Sequence, residues 1–165
     1  MKIDVSSIVK TNGASLAVKF NQEIAELKDV DSEVVFDEVV NFEGTLLNSS
    51  GVLKLAGNLK VGFTVKCSRC IKDIQNKMEL KVKEDILEDS EKVDNEAYTY
   101  NNNYILIDSI LKDNIILNLP VKQVCDESCK GLCPKCGTNL NEGTCDCKEE
   151  NINPQMEVLR KFFEN

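Results

Sequence analysis

Hydrophobic and polar residues alternate with a period of two between residues 52 and 67. This period is typical of a β-strand with one buried face and one solvent-exposed face. The residues of the expected buried face are Leu53, Leu55, Leu59, Val61, Phe63, Val65 and Cys67, and those of the other face are Lys54, Asn58, Lys60, Thr64 and Lys66. The sequence therefore predicts a long strand that covers a hydrophobic core.

The neighbouring segments also favour β-structure. Residues 34–47 are rich in strand-forming residues, and Asn48-Ser49-Ser50-Gly51 is a turn signal. Residues 77–83 alternate again, with Met78, Leu80 and Val82 on one face. Cys67 and Cys70 are thus expected at the tip of a hairpin whose exposed side chains form a lysine-rich ladder. This ladder is either an ordinary solvated sheet face or a surface that attracts a nucleic-acid backbone.

The next segment is strongly acidic. Residues 84–96 contain seven Asp or Glu residues and one Lys, and few apolar anchors follow before Tyr104. A loop over residues 84–104 is therefore predicted. Beyond it the sequence predicts a helix over residues 108–119, with Asp108 as its N-cap and Pro120 as its stop. Its expected apolar face consists of Ile107, Ile110, Leu111, Ile115 and Leu119.

Composition limits the class of protein. The chain has 165 residues, of which 42% are hydrophobic, and a formal net charge of −8. It is long enough for one domain with a real core, and its apolar runs are too short to predict a membrane span. The first residues lack the apolar stretch of a secretory signal, so a cytosolic location is expected. The acidic balance argues against a general phosphate-binding protein.

Eight cysteines provide the candidate chemistry, and they occur in four pairs without any histidine in the chain. The pairs are Cys67 and Cys70, Cys125 and Cys129, Cys133 and Cys136, and Cys145 and Cys147. In a reducing cytosol, clustered cysteines are more typical of metal ligands than of disulfides. The knuckle Cys133-Pro-Lys-Cys136-Gly137 with the following Cys145 and Cys147 predicts a closed structural zinc site.

A second site is predicted from the other two pairs, which would fasten the hairpin tip to the loop after the helix. Three alternatives remain open. Cys67 could be a small buried core residue, Cys129 could join Cys133 and Cys136 instead, and an iron–sulfur cluster could use four thiolates. One or two zinc ions are thus expected, and neither predicted site has an open position for catalysis.

A last helix is predicted to begin at Asn153 and Pro154, with an apolar stripe that packs on the core or on a partner. The stripe contains Met156, Leu159, Phe162 and Phe163. The expected fold is α+β: an antiparallel β-sheet or partial barrel with a core helix, a small C-terminal zinc module of four cysteines and a terminal helix. The expected division is a β-rich core domain over residues 1–122 and the zinc module with the last helix over residues 123–165.

Several motifs together match a known family. They are the strand from Gly51 to Gly57, Cys67-Ser-Arg-Cys70, the helix end Asn118-Leu-Pro120, and the run from Cys125 to Asn141 with Cys145 and Cys147 behind it. In these motifs the chain resembles the bacterial YceD family of large ribosomal RNA subunit accumulation proteins. The closing Asp-Pro-Arg of the family is Asn153-Pro154-Gln155 here. The resemblance implies a cytosolic, non-enzymatic factor that affects the accumulation of large-subunit ribosomal RNA.

The partners implied are a ribosomal protein or a large-subunit precursor particle, without a membrane or a small-molecule substrate. A basic ribosomal protein is expected to bind the acidic segment 84–96, while the basic hairpin touches RNA. The expected RNA-contacting residues are Lys60, Lys66, Arg69, Lys72, Lys77, Lys81 and Lys83. Two other classes remain open: a zinc-ribbon adaptor for transcription or protein interaction, and a thiol–disulfide oxidoreductase.

Overall fold

The computed structural model describes residues 1–24, 27, 34–89 and 97–147, with only the backbone of residues 37 and 38. Seven strands form one mixed sheet in the order β1-β7-β6-β5-β4-β3-β2. The strands are β1 (Lys2–Asp4), β2 (Ser15–Gln22), β3 (Val34–Ser49), β4 (Val52–Lys66), β5 (Asp73–Glu88), β6 (Tyr98–Asn101) and β7 (Tyr104–Leu106). The helices are α1 (Ser6–Val9) and α2 (Ile107–Leu117).

Three long antiparallel strands, β3, β4 and β5, form the centre of the sheet. Ser50 and Gly51 turn the chain between β3 and β4 with positive φ angles of 56° and 92°. Leu53, Leu55 and Leu59 are at most 1% exposed, whereas Lys54 and Lys60 are exposed. The period-two pattern therefore assigned the buried and exposed faces of β4 correctly.

The sheet curls so that its two edge strands approach each other. The Gln22 side chain, at the end of edge strand β2, donates to Met1 Sδ over 3.0 Å, and Met1 directly precedes edge strand β1. The expected partial barrel is thus present as an open half-barrel. The described sheet is mostly antiparallel, as expected, but β6 pairs with β5 in parallel from Ile86↔Tyr98 to Glu88↔Tyr100. A pairing of three residues leaves no periodic signal that a sequence could show.

Helix α2 packs on the core side of the sheet. Its residues Ile107, Ile110, Leu111 and Ile115 are at most 1% exposed, so the predicted apolar face is correct at these positions. The helix spans Ile107–Leu117 and not 108–119, and Asp108 lies in its first turn instead of capping it. The Asp108 carboxylate contacts the α-amino group of Met1. Neither described helix has the length and apolar character that a transmembrane helix needs.

The acidic segment contains more regular structure than expected. Strand β5 continues to Glu88, β6 lies within the segment predicted as a loop over 84–104, and β7 begins at its last residue. One reason is the cross-strand pair between Lys54 and Asp85, which joins β4 to the acidic end of β5 over 3.8 Å. Residues 90–96 and the predicted last helix lie outside the described residues.

Candidate metal centres

The turn between β4 and β5 carries the first pair of cysteines. Cys67 N donates to Lys72 O over 2.8 Å and Ile71 N donates to Cys67 O over 2.9 Å, which closes the turn. Ile71 takes a positive φ of 62° within it. Ser68 N donates to Gln123 O over 2.8 Å, so the chain that follows α2 returns to this hairpin tip. The turn thereby faces the segment that contains the next two cysteines.

The first group of thiols consists of Cys67, Cys70, Cys125 and Cys129. Their four Sγ atoms all lie within 4.8 Å of one another. Cys67 Sγ is 4.0 Å from Cys129 Sγ, and Cys70 Sγ is 3.5 Å from Cys125 Sγ. Four sulfurs around a zinc ion with Zn–S bonds of about 2.3 Å would be about 3.8 Å apart, so the donor set fits such an ion. We call this group the first tetrad.

Arg69 connects the hairpin tip that carries Cys67 and Cys70 to the loop that carries Cys129. Its guanidinium donates to Glu127 O over 3.0 Å and to Cys129 O over 2.9 Å. Arg69 O accepts a hydrogen bond from Leu132 N over 3.0 Å. A Cβ on Gly131 would lie 3.0 Å from Arg69 O, and Gly131 has a φ of 75°, so only glycine fits this approach. The arginine therefore fastens residues 127–132 to the hairpin tip.

The second group of thiols consists of Cys133, Cys136, Cys145 and Cys147, whose Sγ atoms also lie within 4.8 Å of one another. Gly137 N donates to Cys133 O over 2.9 Å, and Cys133 N donates to Thr138 O over 2.8 Å. Gly137 has a φ of 73°, as expected for a tight knuckle around a metal. We call this group the second tetrad. The structure thus brings the eight thiols into the same two sets that the sequence suggested.

Hydrogen bonds set different pKa values within the first tetrad. Burial raises the pKa of the Cys67 thiol, but N–H groups of Cys70, Arg69 and Cys125 outweigh burial and lower it to about 6. Hydrogen bonds with the sulfurs of Cys129 and Cys70 raise the pKa of Cys125 to about 12. The hydrogen bonds of the first tetrad therefore lower the pKa of Cys67 and raise that of Cys125.

The pKa values of the thiols also differ within the second tetrad. Hydrogen bonds from Thr138 lower the pKa of Cys136 to about 6, and a hydrogen bond with Cys136 raises the pKa of Cys147 to about 12. Four adjacent thiolates repel one another, and a divalent cation at their centre would favour the charged form of all four. The chemistry of both tetrads thus suits a cation with soft ligands.

The two tetrads differ in burial. In the first, Cys67, Cys70 and Cys129 are at most 7% exposed and only Cys125 is exposed. In the second, Cys133 alone is buried. Each tetrad supplies all four ligands of a tetrahedral site, so an ion bound there would have no position left for a substrate. The sequence did not single out Arg69 or Asn141 as supports of these sites, because their roles depend on contacts between distant loops.

The predicted RNA-contacting residues do not form a single surface. Five of them, Lys60 and Lys66 of β4 and Lys77, Lys81 and Lys83 of β5, lie with Lys54 on the sheet face opposite the core. We call these six residues the lysine face. Lys60 pairs with Glu79 over 2.8 Å, whereas Lys77, Lys81 and Lys83 contact no carboxylate among the described residues. The other two predicted residues, Arg69 and Lys72, lie in the turn between β4 and β5, where Arg69 Nη1 donates to two carbonyl groups.

Comparison with known proteins gives a family for this chain. A family model described as "Large ribosomal RNA subunit accumulation protein YceD" matches residues 55–163. The chain is 45% identical over 40 residues to the "Large ribosomal RNA subunit accumulation protein YCED homolog 1, chloroplastic" of Arabidopsis thaliana. This match covers 24% of the chain and 12% of the plant protein. The corresponding protein of Zea mays is 44% identical over 43 residues, 26% of the chain and 15% of that protein.

A longer match is to an uncharacterized protein of Mycobacterium bovis, which is 27% identical over 120 residues. It covers 70% of the chain and 56% of the mycobacterial protein. The chain therefore matches less than two thirds of the length of each of these relatives. No solved structure matches the chain. Because the family model covers well over half of the residues, the resemblance seen in the sequence is confirmed, and the chain belongs to the YceD family.

Proposed function

We propose that this protein is a non-enzymatic binding factor in the biogenesis of the large ribosomal subunit, where it supports the accumulation of large-subunit ribosomal RNA. The observation that carries the proposal is the family match over residues 55–163, whose description names this role. The site geometry agrees with it, since both tetrads offer complete ligand sets instead of an open catalytic position. We expect the protein to act in the cytoplasm, although the plant relatives are named chloroplastic.

Structural zinc is the metal that we assign to the two tetrads. Four thiolates without carboxylate or imidazole ligands favour zinc over magnesium or calcium, which prefer oxygen. In the first tetrad, Cys67 and Cys70 would hold the hairpin tip while Cys125 and Cys129 hold the chain after α2. In the second, Cys133, Cys136, Cys145 and Cys147 would fold the knuckle. When bound, zinc would supply the crosslink and no reaction step.

The lysine face is the surface that we assign to RNA. Lys77, Lys81 and Lys83 point away from the core on one strand, with Lys81 and Lys83 about 7 Å apart along it. None of them forms an ion pair with a described carboxylate, although Glu79 lies between Lys77 and Lys81, so their ammonium groups are available to phosphate. A groove of about 540 Å³ lies beside Lys77 and Lys60, with Gly62 in its lining. The contact would be independent of base sequence, since lysine is a point charge without forked geometry.

The acidic end of β5 is the surface that we assign to a basic ribosomal protein. Two carboxylates of this segment already have partners, since Asp85 pairs with Lys54 and Glu84 accepts from Asn114 over 2.8 Å. Glu88 and Asp89 are exposed and lead into residues 90–96, where the other acidic residues of the segment lie. A basic protein would bind here by charge complementarity, which raises the rate of encounter.

Affinity capture of the full chain from cells tests this function, with the captured RNA and proteins both identified. The wild-type protein should retain large-subunit ribosomal RNA and large-subunit proteins. The triple variant Lys77→Glu, Lys81→Glu, Lys83→Glu should lose most of the RNA. A control variant with the same change of net charge, Lys2→Glu, Lys10→Glu, Lys122→Glu, should capture as much RNA as the wild type.

A second variant in the same capture experiment reverses the charge of the acidic surface. Glu88→Lys with Asp89→Lys should reduce the captured ribosomal proteins more than the RNA, because the lysine face stays intact. Capture of neither ribosomal RNA nor ribosomal proteins by the wild type would contradict the proposed function. Unchanged capture by both charge-reversed variants would contradict the two assigned surfaces while leaving the ribosomal role in place.

A further inference from the structure

Asn141 reaches from the loop of the second tetrad to a ligand of the first. The residue lies between Cys136 and Cys145, and its side-chain amide donates to Cys129 Sγ over 3.4 Å. Its Oδ1 accepts a hydrogen bond from Lys130 N, next to Cys129, over 2.8 Å. One side chain thus holds both the sulfur of a first-tetrad ligand and the backbone beside it.

The position of Asn141 depends on the loop that the second tetrad encloses. Leu140 N donates to Gly131 O over 2.9 Å, and Leu132 and Asn139 form an isolated β-bridge. Asn139 Oδ1 accepts from Asn141 N over 3.1 Å and from Asn141 Nδ2 over 2.8 Å, which fixes the direction of the amide. The amide is therefore aimed at Cys129 by residues that lie inside the Cys133–Cys147 segment.

We propose that Asn141 is a positioning residue that couples metal binding at the two tetrads, so that an ordered second site strengthens the first. The inference rests on the proposed zinc assignment. An N–H donor to a ligating sulfur stabilises the thiolate and orients it toward the metal. Loss of such an outer-shell partner typically lowers metal affinity 10- to 100-fold.

The test uses the full chain loaded with zinc and measures the rate at which a competing chelator removes each ion. Asn141→Asp keeps an oxygen acceptor for Lys130 N but removes the donor to Cys129. We expect one of two bound ions to leave about 10-fold faster. Gly143→Asp is the matched control, because it adds the same charge two residues away, at a position where an added Cβ meets no atom within 4 Å. It should leave both rates within about 2-fold of the wild type.

Introducing Asn141→Asp into the Cys129→Ser variant identifies which of the two ions is affected. Cys129→Ser removes a ligand of the first tetrad, so Asn141→Asp should have no further effect on the ion that remains in the second. Damage to the second tetrad should also affect the first. Cys147→Ser should speed release of the ion from the first tetrad about 10-fold. The same substitution should have a smaller effect in a protein that already carries Asn141→Asp. Cobalt substitution adds a spectroscopic readout, since the thiolate-to-cobalt absorption of one ion should shift in Asn141→Asp.

Two results would overturn the coupling alone: equal release from Asn141→Asp and Gly143→Asp, or an undiminished effect of Asn141→Asp in the Cys129→Ser background. In either case the wild type would still bind two ions. Binding of fewer than two ions by the wild type would instead contradict the zinc assignment, and the coupling with it. Metal counting before chelation therefore separates the two failures.

Discussion

At the scale of single residues, the centre of the sheet depends on two glycines. Gly44 and Gly57 lie opposite each other in β3 and β4, and the ring of Phe42 covers both. A Cβ on Gly57 would lie 2.6 Å from Phe42 Cζ and 2.7 Å from Glu43 O. Phe42 is 1% exposed and stacks on Phe20 with a centroid distance of 5.5 Å. The ring has no space to move into, so this position requires glycine.

We therefore expect Gly57→Ala to lower the free energy of unfolding by about 2 kcal/mol, the usual cost of overpacking a close contact. Urea denaturation followed by circular dichroism measures this change. Gly143→Ala is the control, because an added Cβ there meets no atom within 4 Å. Its effect should stay within about 0.5 kcal/mol. Equal destabilisation by the two substitutions would show that Phe42 does not restrict the position.

At the scale of elements, long strands could be predicted and short ones could not. The alternation over residues 52–67 gave β4 and its buried face, because seven apolar side chains repeat there with one period. Strands β1, β6 and β7 contain only three or four residues each and depend on pairing with distant partners. The acidic end of β5 was predicted as a loop, since the partners of Glu84 and Asp85 are not visible in the local sequence.

The cysteine groups were predictable for a different reason. Two of the four pairs lie in one knuckle, and the other two lie at a hairpin tip and after a helix stop, which leaves few arrangements. The supports of these groups could not be predicted. Arg69 acts through carbonyl groups of residues 127 and 129, and Asn141 acts through Cys129. Such contacts exist only once the loops have met.

The two tetrads should contribute differently to stability. The first joins Cys70 to Cys125, 55 residues apart, whereas Cys136 and Cys145 of the second are close in sequence. Crosslinking a longer loop removes more entropy from the unfolded chain. We expect Cys129→Ser to lower the Tm of the zinc-loaded protein by about 3–6 °C more than Cys147→Ser does. Calorimetry with metal counting measures this, and an equal or larger loss in Cys147→Ser would contradict the difference.

At the scale of the whole molecule, basic and acidic residues are concentrated on different surfaces. The net charge is −8, yet the lysine face carries three lysines that form no ion pair with a described carboxylate. At physiological ionic strength, charges more than about 8 Å from a contact are largely screened. A local basic face can therefore meet RNA phosphates although the protein as a whole is acidic. The first tetrad lies at the tip of the hairpin that presents this face, so an ion bound there would fix the hairpin.

The most direct test is complementation of cells that lack this protein, with the ratio of large-subunit to small-subunit ribosomal RNA as the measurement. The wild type and the control variant Lys2→Glu, Lys10→Glu, Lys122→Glu should restore the ratio. The variant Lys77→Glu, Lys81→Glu, Lys83→Glu should accumulate to the same protein level without restoring it. Full restoration of the ratio by this variant, or an unchanged ratio in cells without the protein, would contradict the account.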